Sequence, residues 1–447
     1  MHGSPLIDTC SRLVEGAVSR GFDEVAILAT RTDRTMVKLA NSQPSVTQRW
    51  RGISLSMYLV KEKRIFILEY RPAGGDVSEK EFDTILEHAT VVQESPFYAP
   101  LPEPKPVEKI EGVVDKRVLE YIRDPVELAE LSIEAAHRER IDYVAGTIDL
   151  WYTEKALATS KGVALEEGLT GLQVYLRAFS EPDGSGQWST CSTSIDIREI
   201  EKTSITASRY AAESKGRRSV EPGRYDVVLS PLVFGNILNL VARMSSAFNV
   251  FTGLSIFMKN KPGDQVASER LTLIDAPRDR ELPGATSFDD EGVPTYNKPI
   301  IDKGVLRTLL HNSKTASKLG VNTTGNAGWI SPRPWNLVVE PGSYSIDELI
   351  REVKRGLLIT NNWYTRLQNY VEGAFSTITR DALFLIENGE IARPVEKVRI
   401  ADRLPSFLKN IEALGREAHR IMWWEVRIPS KLPYVLVRDV GISKHML

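Results

Sequence analysis

The densest group of acidic side chains lies near residue 290, where three carboxylates precede a glycine: Asp289, Asp290, Glu291 and Gly292. Three neighbouring carboxylates could coordinate a hard cation or act as the acid and base of a hydrolase. Adjacent residues of a strand point to opposite faces, however, so the three side chains do not readily converge on one ion. The alternative is a turn in which aspartates accept hydrogen bonds from backbone N–H groups and Gly292 takes a positive φ. The pattern favours the turn.

Common nucleophile and metal-site motifs are absent from the sequence. The six histidines are widely spaced and none lies between residues 138 and 310, so no helix carries the pair of imidazoles that a helix-borne zinc site requires. Cys10 and Cys191 are too few for a cysteine-rich zinc site, and Cys10 lies in an apolar helical pattern typical of a core. The small-residue loop over 323–328 lacks the lysine of a nucleotide loop, which favours a flexible or closely packed loop.

The composition excludes several classes of protein. The 447 residues include 57 basic and 59 acidic side chains, a net charge of −2 that disfavours nucleic acid as the chief partner. No stretch approaches the roughly 20 apolar residues that span a bilayer. Residues 1–5 lack a basic region followed by an apolar core, so nothing there marks the chain for export. We expect a cytoplasmic globular protein with more than one domain.

The elements of the first half recur in the same order. Five prolines over 96–106 predict an extended linker between two units, and an offset of 119 residues places Gly52 on Gly171 and Val37 on Ala156. The identities are few, so chance similarity and internal duplication stay equally open. The predicted elements are a helix over 5–20, strands over 23–70, a helix over 80–92, a helix over 125–138, strands over 142–192 with a turn at 183–186, and a helix over 197–214.

A charged run and a turn near residue 220 predict the boundary between an α+β domain over 1–220 and a β-rich domain over 221–447. Many short strands between 270 and 396 favour a curved or barrel-like antiparallel sheet with few helices. Helices are predicted over 346–355 and 403–420, and Met422-Trp423-Trp424 is predicted to be a strand that packs aromatics into the core.

A short buried strand at 225–230 leads into a predicted helix over 231–247. One side of this helix is an apolar stripe, and the opposite side carries only small residues: Gly235, Asn239, Ala242 and Ser246. The small side suits either close approach by another chain or burial in the core, and the sequence does not separate these alternatives.

Several segments of the second half together resemble one family, the TldD/PmbA family, once called modulators of DNA gyrase. The resemblance is specific over about 225–415 and weaker over the first half. The segments that carry it are Ser287-Phe288-Asp289-Asp290-Glu291-Gly292-Val293, Ile301-Asp302-Lys303-Gly304-Val305-Leu306, Ala316-Ser317-Lys318-Leu319-Gly320, Thr324-Gly325-Asn326, Val339-Glu340-Pro341-Gly342 and Glu387-Asn388-Gly389-Glu390.

The resemblance implies a two-domain α+β fold and an assembly of two related subunits around a cavity. One subunit type, TldD, resembles a zinc protease, with a His-Glu-three residues-His motif on the helix after the first strand of the C-terminal domain and a later Cys ligand. The resemblance places Gly235, Asn236 and Leu240 at the metal-motif positions, and no cysteine follows Cys191. Amide, hydrocarbon and bare backbone are poor zinc ligands, so the chain resembles the PmbA/TldE type, without zinc of its own.

The function expected from this resemblance is that of a non-catalytic subunit of a two-protein metalloprotease. It would form a heteromer with a zinc-bearing TldD-type subunit and hold a peptide or unfolded segment. Asn239, Asp289, Asp290 and Glu291 are candidate cleft or subunit-contact residues. Two alternatives stay open: a stand-alone hydrolase that uses Asp289, Asp290 or Glu291 with a cation, and a homodimeric scaffold without activity.

Overall fold

A computed structural model of the chain describes residues 6–72, 77–89 and 93–444. Residues 1–5 and 90–92, on which parts of the export prediction and of the predicted helices over 5–20 and 80–92 fall, lie outside the described residues. In the described part of the chain, no helix has the length and apolar character needed to cross a bilayer. The first unit consists of α1 (Leu6–Ser19), β1 (Glu24–Ala40), β2 (Gln43–Lys61), β3 (Arg64–Tyr70) and α2 (Glu79–Ala89).

The second unit repeats this order after the proline-rich segment, and β1 and β4 begin 119 residues apart, at Glu24 and Tyr143. This layout is what an internal duplication would produce, although duplication and the division at 220 stay predictions. The turn predicted at 183–186 is shifted, because β6 already begins at Gly184. The elements are α3 (Lys116–Tyr121), α4 (Val126–Ala136), β4 (Tyr143–Thr159), β5 (Ala164–Ser180), β6 (Gly184–Ser192) and α5 (Ile197–Glu213).

The second half consists mostly of strands, which confirms the α+β class and the strand-rich C-terminal half. Its elements are β7 (Gly223–Leu229), α6 (Pro231–Met244), α7 (Ala247–Phe251), β8 (Leu273–Asp275), β9 (Lys298–Asp302), β10 (Val305–Leu306), α8 (Ser313–Leu319), β11 (Leu337–Val339), α9 (Ile346–Arg351), β12 (Arg355–Ile359), β13 (Asn362–Asn369), β14 (Ala374–Thr379), β15 (Leu383–Glu387), β16 (Glu390–Pro394), β17 (Val398–Arg403), α10 (Leu404–Lys409), β18 (Ile411–Leu414), β19 (His419–Trp423), β20 (Val426–Leu432) and β21 (Val435–Lys444).

The helix predicted over 403–420 is wrong beyond its first turns. Leu404, Phe407, Leu408 and Ile411 follow a helical spacing, but only α10 is helical. From Ile411 the backbone pairs with β21, so strand pairing overrides the local periodicity. The helices predicted over 231–247 and 346–355 are shorter than expected, and β12 already begins at Arg355.

The strands of the described residues form three sheets. The six strands of the two units form one antiparallel sheet in the order β3-β2-β1-β4-β5-β6, with β1 paired to β4 at its centre. The strands of the second half divide between a six-stranded sheet, β10-β9-β8-β11-β20-β19, and a nine-stranded sheet that contains β7 and β12. Most pairs are antiparallel, but β11 pairs with β20, and β12 with β7, in parallel. Helix α6 follows β7 and packs against β20, between these two sheets.

Candidate functional site

Helix α6 lies in the core, and both of its sides are covered. It begins after Ser230 with Pro231 in its first turn, a position where the missing N–H costs nothing. The apolar residues of the helix are buried, and so are Asn239 and Ala242 on the opposite side and Ser246 just beyond the helix end. A Cβ atom on Gly235 would lie 2.7 Å from Cδ1 of Ile421 in β19. The small residues of α6 therefore allow close packing of the β19–β20 hairpin within this chain.

Asn236 lies at one of the positions where the resemblance places a metal ligand. Its Oδ1 accepts hydrogen bonds from Nδ2 of Asn362, at 3.0 Å, and Oγ1 of Thr365, at 2.6 Å. Its Nδ2 donates to the backbone oxygen of Glu425, at 2.9 Å, and to Oε2 of the same residue, at 3.3 Å. A side-chain amide has two donor hydrogens and two acceptor lone pairs, and this network uses all four.

The other two motif positions offer no donor atom. Gly235 has no side chain, and the side chain of Leu240 is half-buried against the core. Asn239, one turn from Asn236, accepts a hydrogen bond from the backbone N–H of Ile428 at 2.9 Å. Its own Nδ2 is buried and has no partner among the residues that the structure describes. The two asparagines thus connect α6 to the β19–β20 hairpin.

The donor set around α6 does not fit a zinc ion. Among the described residues, no group of three or more His, Cys, Asp or Glu side chains could hold a metal. The single carboxylate near Asn236 is that of Glu425, whose Oε1 accepts from the backbone N–H of Tyr364. Burial raises the pKa of Cys10 to about 11 and that of Cys191 to about 12, so both thiols are protonated at neutral pH and buried.

The acidic segment forms the turn that the sequence favoured. Asp289 accepts hydrogen bonds from the backbone N–H groups of Glu291, Val293 and Ala327, and Gly292 has a φ of +80°. All three carboxylates are buried. Burial, with the neighbouring Glu291 charge, raises the pKa of Asp289 to about 7. Asp289 therefore stabilises the turn rather than facing a cleft in this chain.

The other two carboxylates of the turn point to different partners. Asp290 forms a two-bond ion pair with Arg333, with distances of 2.8 and 2.9 Å. Glu291 accepts from the N–H and Oγ of Ser313 and from Nζ of Lys314 at 3.1 Å. Each carboxylate has its own partners, so the segment offers no common point where a cation or a substrate would meet all three. The nearby loop over 323–328 is closely packed, since most of its residues are buried.

A cleft that the sequence did not predict lies beside the β19–β20 hairpin. It has a volume of about 840 Å³. It lies between the hairpin and the sheet that is formed by the strands β1 to β6 of the two units. Arg34 on β1 and Asp149 on β4 line one wall and form an ion pair, with Nε of Arg34 2.7 Å from Oδ1 of Asp149. Trp424, 53% exposed, and Arg427 line the opposite wall.

Trp423 and Trp424 differ in their exposure. Trp423 is buried and stacks on Tyr175 with the ring centroids 6.2 Å apart, as a core-facing strand residue should. Its Nε1–H has no hydrogen-bond partner within the described residues. The prediction of a strand that packs aromatics into the core is correct for Trp423 only, because β19 ends there and Trp424 lies in the turn before β20.

Comparisons with known proteins agree with this fold. Residues 222–444 match the family model described as the PmbA/TldA metallopeptidase C-terminal domain. A protein named metalloprotease from Methanothermobacter thermautotrophicus is 29% identical over 334 residues, which cover 68% of this chain and 71% of that protein. A candidate modulator of a DNA gyrase from Thermotoga maritima is 25% identical, with a TM-score of 0.85 over 98% of this chain and 100% of that one.

TldE from Thermococcus kodakarensis has the same fold, with a TM-score of 0.86 over 97% of this chain and 100% of that one, at 18% identity. The family model matches the half of the chain that contains α6, the acidic turn and the β19–β20 hairpin. The fold neighbours extend the similarity to the two units of the first half. The chain belongs to the PmbA/TldD family.

Proposed function

We propose that this chain is a non-catalytic, PmbA/TldE-type subunit of a two-protein metalloprotease that acts on peptides or unfolded segments. The observation that carries the proposal is the saturated amide of Asn236. Where the resemblance places a metal ligand, all four hydrogen-bonding positions are already used by neutral or backbone partners and Glu425. Zinc and catalysis would come from a TldD-type partner, with a cytoplasmic location as the sequence predicts.

The cleft beside the β19–β20 hairpin is the surface on which this subunit would hold a peptide. Its volume of about 840 Å³ accommodates a few residues of an extended chain. Exposed Trp424 offers such a chain an apolar face. Glu425 lies between Trp424 and β20, and its backbone oxygen accepts a hydrogen bond from Asn236. The hydrogen bonds of Asn236 therefore fix the position of the hairpin that carries Trp424.

The proposal is tested by metal analysis and peptide cleavage, with the chain alone and mixed with a TldD-type protein. We expect the chain alone to bind less than a tenth of an equivalent of zinc, roughly, and to cleave nothing. The mixture should elute as a heteromer and cleave an unfolded test peptide, and a chelator should abolish the cleavage. Stoichiometric zinc in the isolated chain, or cleavage without any partner, would contradict the proposal.

A variant of the cleft tests the role in peptide binding. In the mixture, Trp424→Ala should raise the KM for the test peptide about fivefold, because exposed aromatic anchors contribute more than about 1 kcal/mol to many interfaces. The matched control is Tyr370→Ala, which removes another exposed aromatic ring that does not line the cleft. Equal KM values for the two variants would show that the peptide binds elsewhere. Heteromer formation, measured by size-exclusion chromatography, should be unchanged in both.

A further inference from the structure

A second cavity lies on the face of the first sheet opposite the cleft. Tyr175 on β5 lines the cleft and pairs with Ser189 on β6, so these two side chains share a face. The neighbouring residue, Trp188, points to the other face and forms part of the floor of this cavity. Its volume is about 260 Å³, which suits a ligand smaller than a typical drug molecule.

The walls of this cavity carry an excess of positive charge. Lys202 and Arg209 lie two turns apart on α5, on the same side of the helix, and Arg416 faces them from the segment between β18 and β19. In the lining, the Glu417 carboxylate has an oxygen 3.9 Å from Nζ of Lys202, and Arg416 pairs with Glu348 beside the cavity at 3.1 Å. Within the described part of the chain Arg209 forms no ion pair, so its guanidinium is available to an anion.

The floor of the cavity is aromatic and well ordered. Trp188 stacks on Tyr434 with centroids 6.0 Å apart, and His419 meets both rings edge-on. The hydroxyl group of Tyr434 is 2.6 Å from that of Tyr210. Backbone hydrogen bonds from Gly415 to Tyr434 and from Arg416 to Tyr344 fix the loop that carries Arg416.

His419 supplies the observation that points to a ligand. It is 91% buried, lines the cavity, and neither ring nitrogen has a hydrogen-bond partner among the described residues. Burial lowers the pKa of His419 to about 4, so at neutral pH the ring offers one donor and one acceptor. The ring nitrogens are accessible from the cavity, so water or a ligand there can complete their hydrogen bonding.

We propose that this cavity binds a small organic anion with a flat apolar body, whose carboxylate or phosphate group is held by Lys202, Arg209 and Arg416. The body lies over Trp188 and Tyr434, and a polar atom of the ligand completes the hydrogen bonding of His419. Because α5 belongs to the first half and Arg416 to the second, the ligand stabilises their contact. This proposal does not depend on the protease function.

Titration calorimetry on the full chain with benzoate, phenyl phosphate and benzamide tests the proposal. We expect saturable binding of at least one of the two anions, with the tighter one identifying the anionic group, and none of neutral benzamide. Arg209→Gln and Arg416→Gln should each weaken anion binding about tenfold, since each removes a charge-assisted hydrogen bond. The control Lys259→Gln, at an exposed lysine outside the cavity, should leave binding unchanged.

Three outcomes would overturn the proposal: no binding of either anion up to about 10 mM, equal binding of benzamide, or unchanged anion binding in both arginine variants. Arg209 and Arg416 are exposed, so both variants should fold, and thermal melting checks this. His419→Gln provides a further readout, because it should weaken benzoate binding less than either arginine variant does.

Discussion

The two units of the first sheet have the same order of elements but very different surroundings. Every residue of β6 is buried, whereas the residues of the corresponding β3 are half-buried or exposed. Helix α5 covers β6, and β19 of the second half lies against it. Most of the core of the first unit is a separate cluster beneath α1 and α2, while that of the second unit is continuous with the core of the C-terminal half.

The difference shows that equivalent strands acquire their burial from what packs on them. Gly52 and Gly171 occupy equivalent positions on β2 and β5. A Cβ atom on Gly52 would meet nothing within 4 Å, whereas one on Gly171 would lie 2.1 Å from Cε2 of Trp151. The same residue type is thus unconstrained in one unit and constrained in the other.

The largest expected effect comes from the aromatic contact of the second unit with the C-terminal half. Trp188→Ala should lower the free energy of unfolding by about 4 kcal/mol, because it empties a buried site between Tyr434 and His419. The equivalent position on β3 is Leu68, which pairs with Met57 as Trp188 pairs with Leu176 and is half-buried, so Leu68→Ala should lower it by only about 1.5 kcal/mol. Urea denaturation measures both values. Equal losses would mean that the two units are packed alike.

The glycine pair gives the next largest effect. Gly171→Ala should destabilise the chain by about 2 to 3 kcal/mol, since the added methyl group forces the ring of Trp151 to move. Gly52→Ala should be neutral or stabilise by about 0.5 kcal/mol, because alanine loses less backbone entropy than glycine. The melting temperatures of the two variants measure both changes in stability. A destabilising Gly52→Ala would show that another chain covers that strand in solution.

The smallest expected effect is a pH dependence. The pKa of His419 is lowered to about 4 by burial, so the folded state binds a proton less readily than the unfolded state. The stability from the neutral ring is fully present above pH 6.5 and is lost as the pH falls toward 4, by about 2 kcal/mol at pH 5. His419→Gln should therefore lose less stability than the native chain between pH 7 and pH 5.

The control for this prediction lies in the first unit. His88 on α2 is exposed, and His88→Gln should leave the acid loss of stability unchanged. Burial also lowers the pKa of His311 to about 4. This residue is present in the native chain and in both histidine variants, so it contributes equally to the acid loss of stability in all three. If His419→Gln lost as much folding stability between pH 7 and pH 5 as the native chain does, the protonation of His419 would not be linked to folding.

Much of the local structure follows from the sequence, while several boundaries do not. Helical and alternating patterns predicted α1, α4, α5 and the strands of both units, because each element carries a periodicity that burial on one face requires. The same rule failed over 403–420, where the helix ends at Lys409 and the backbone from Ile411 pairs as a strand with β21. Local spacing does not reveal which distant strand is available for pairing.

Some features of the candidate site could likewise be predicted from the sequence, and others could not. The sequence indicated the turn at Asp289, since carboxylates on adjacent residues diverge and Gly292 permits a positive φ. It gave no means of finding the ion pair of Arg34 with Asp149, or the cavity of Arg209 and Arg416, because these residues are distant along the chain.

The amino-acid sequence by itself determined which donor atoms α6 carries, since amide, hydrocarbon and bare backbone at Asn236, Leu240 and Gly235 are poor zinc ligands in any environment. Only the tertiary structure decided that the small side of the helix faces the β19–β20 hairpin and that the amide of Asn236 is saturated. The chemical identity of a side chain is local, whereas its burial and its hydrogen-bond partners depend on segments more than a hundred residues away along the chain.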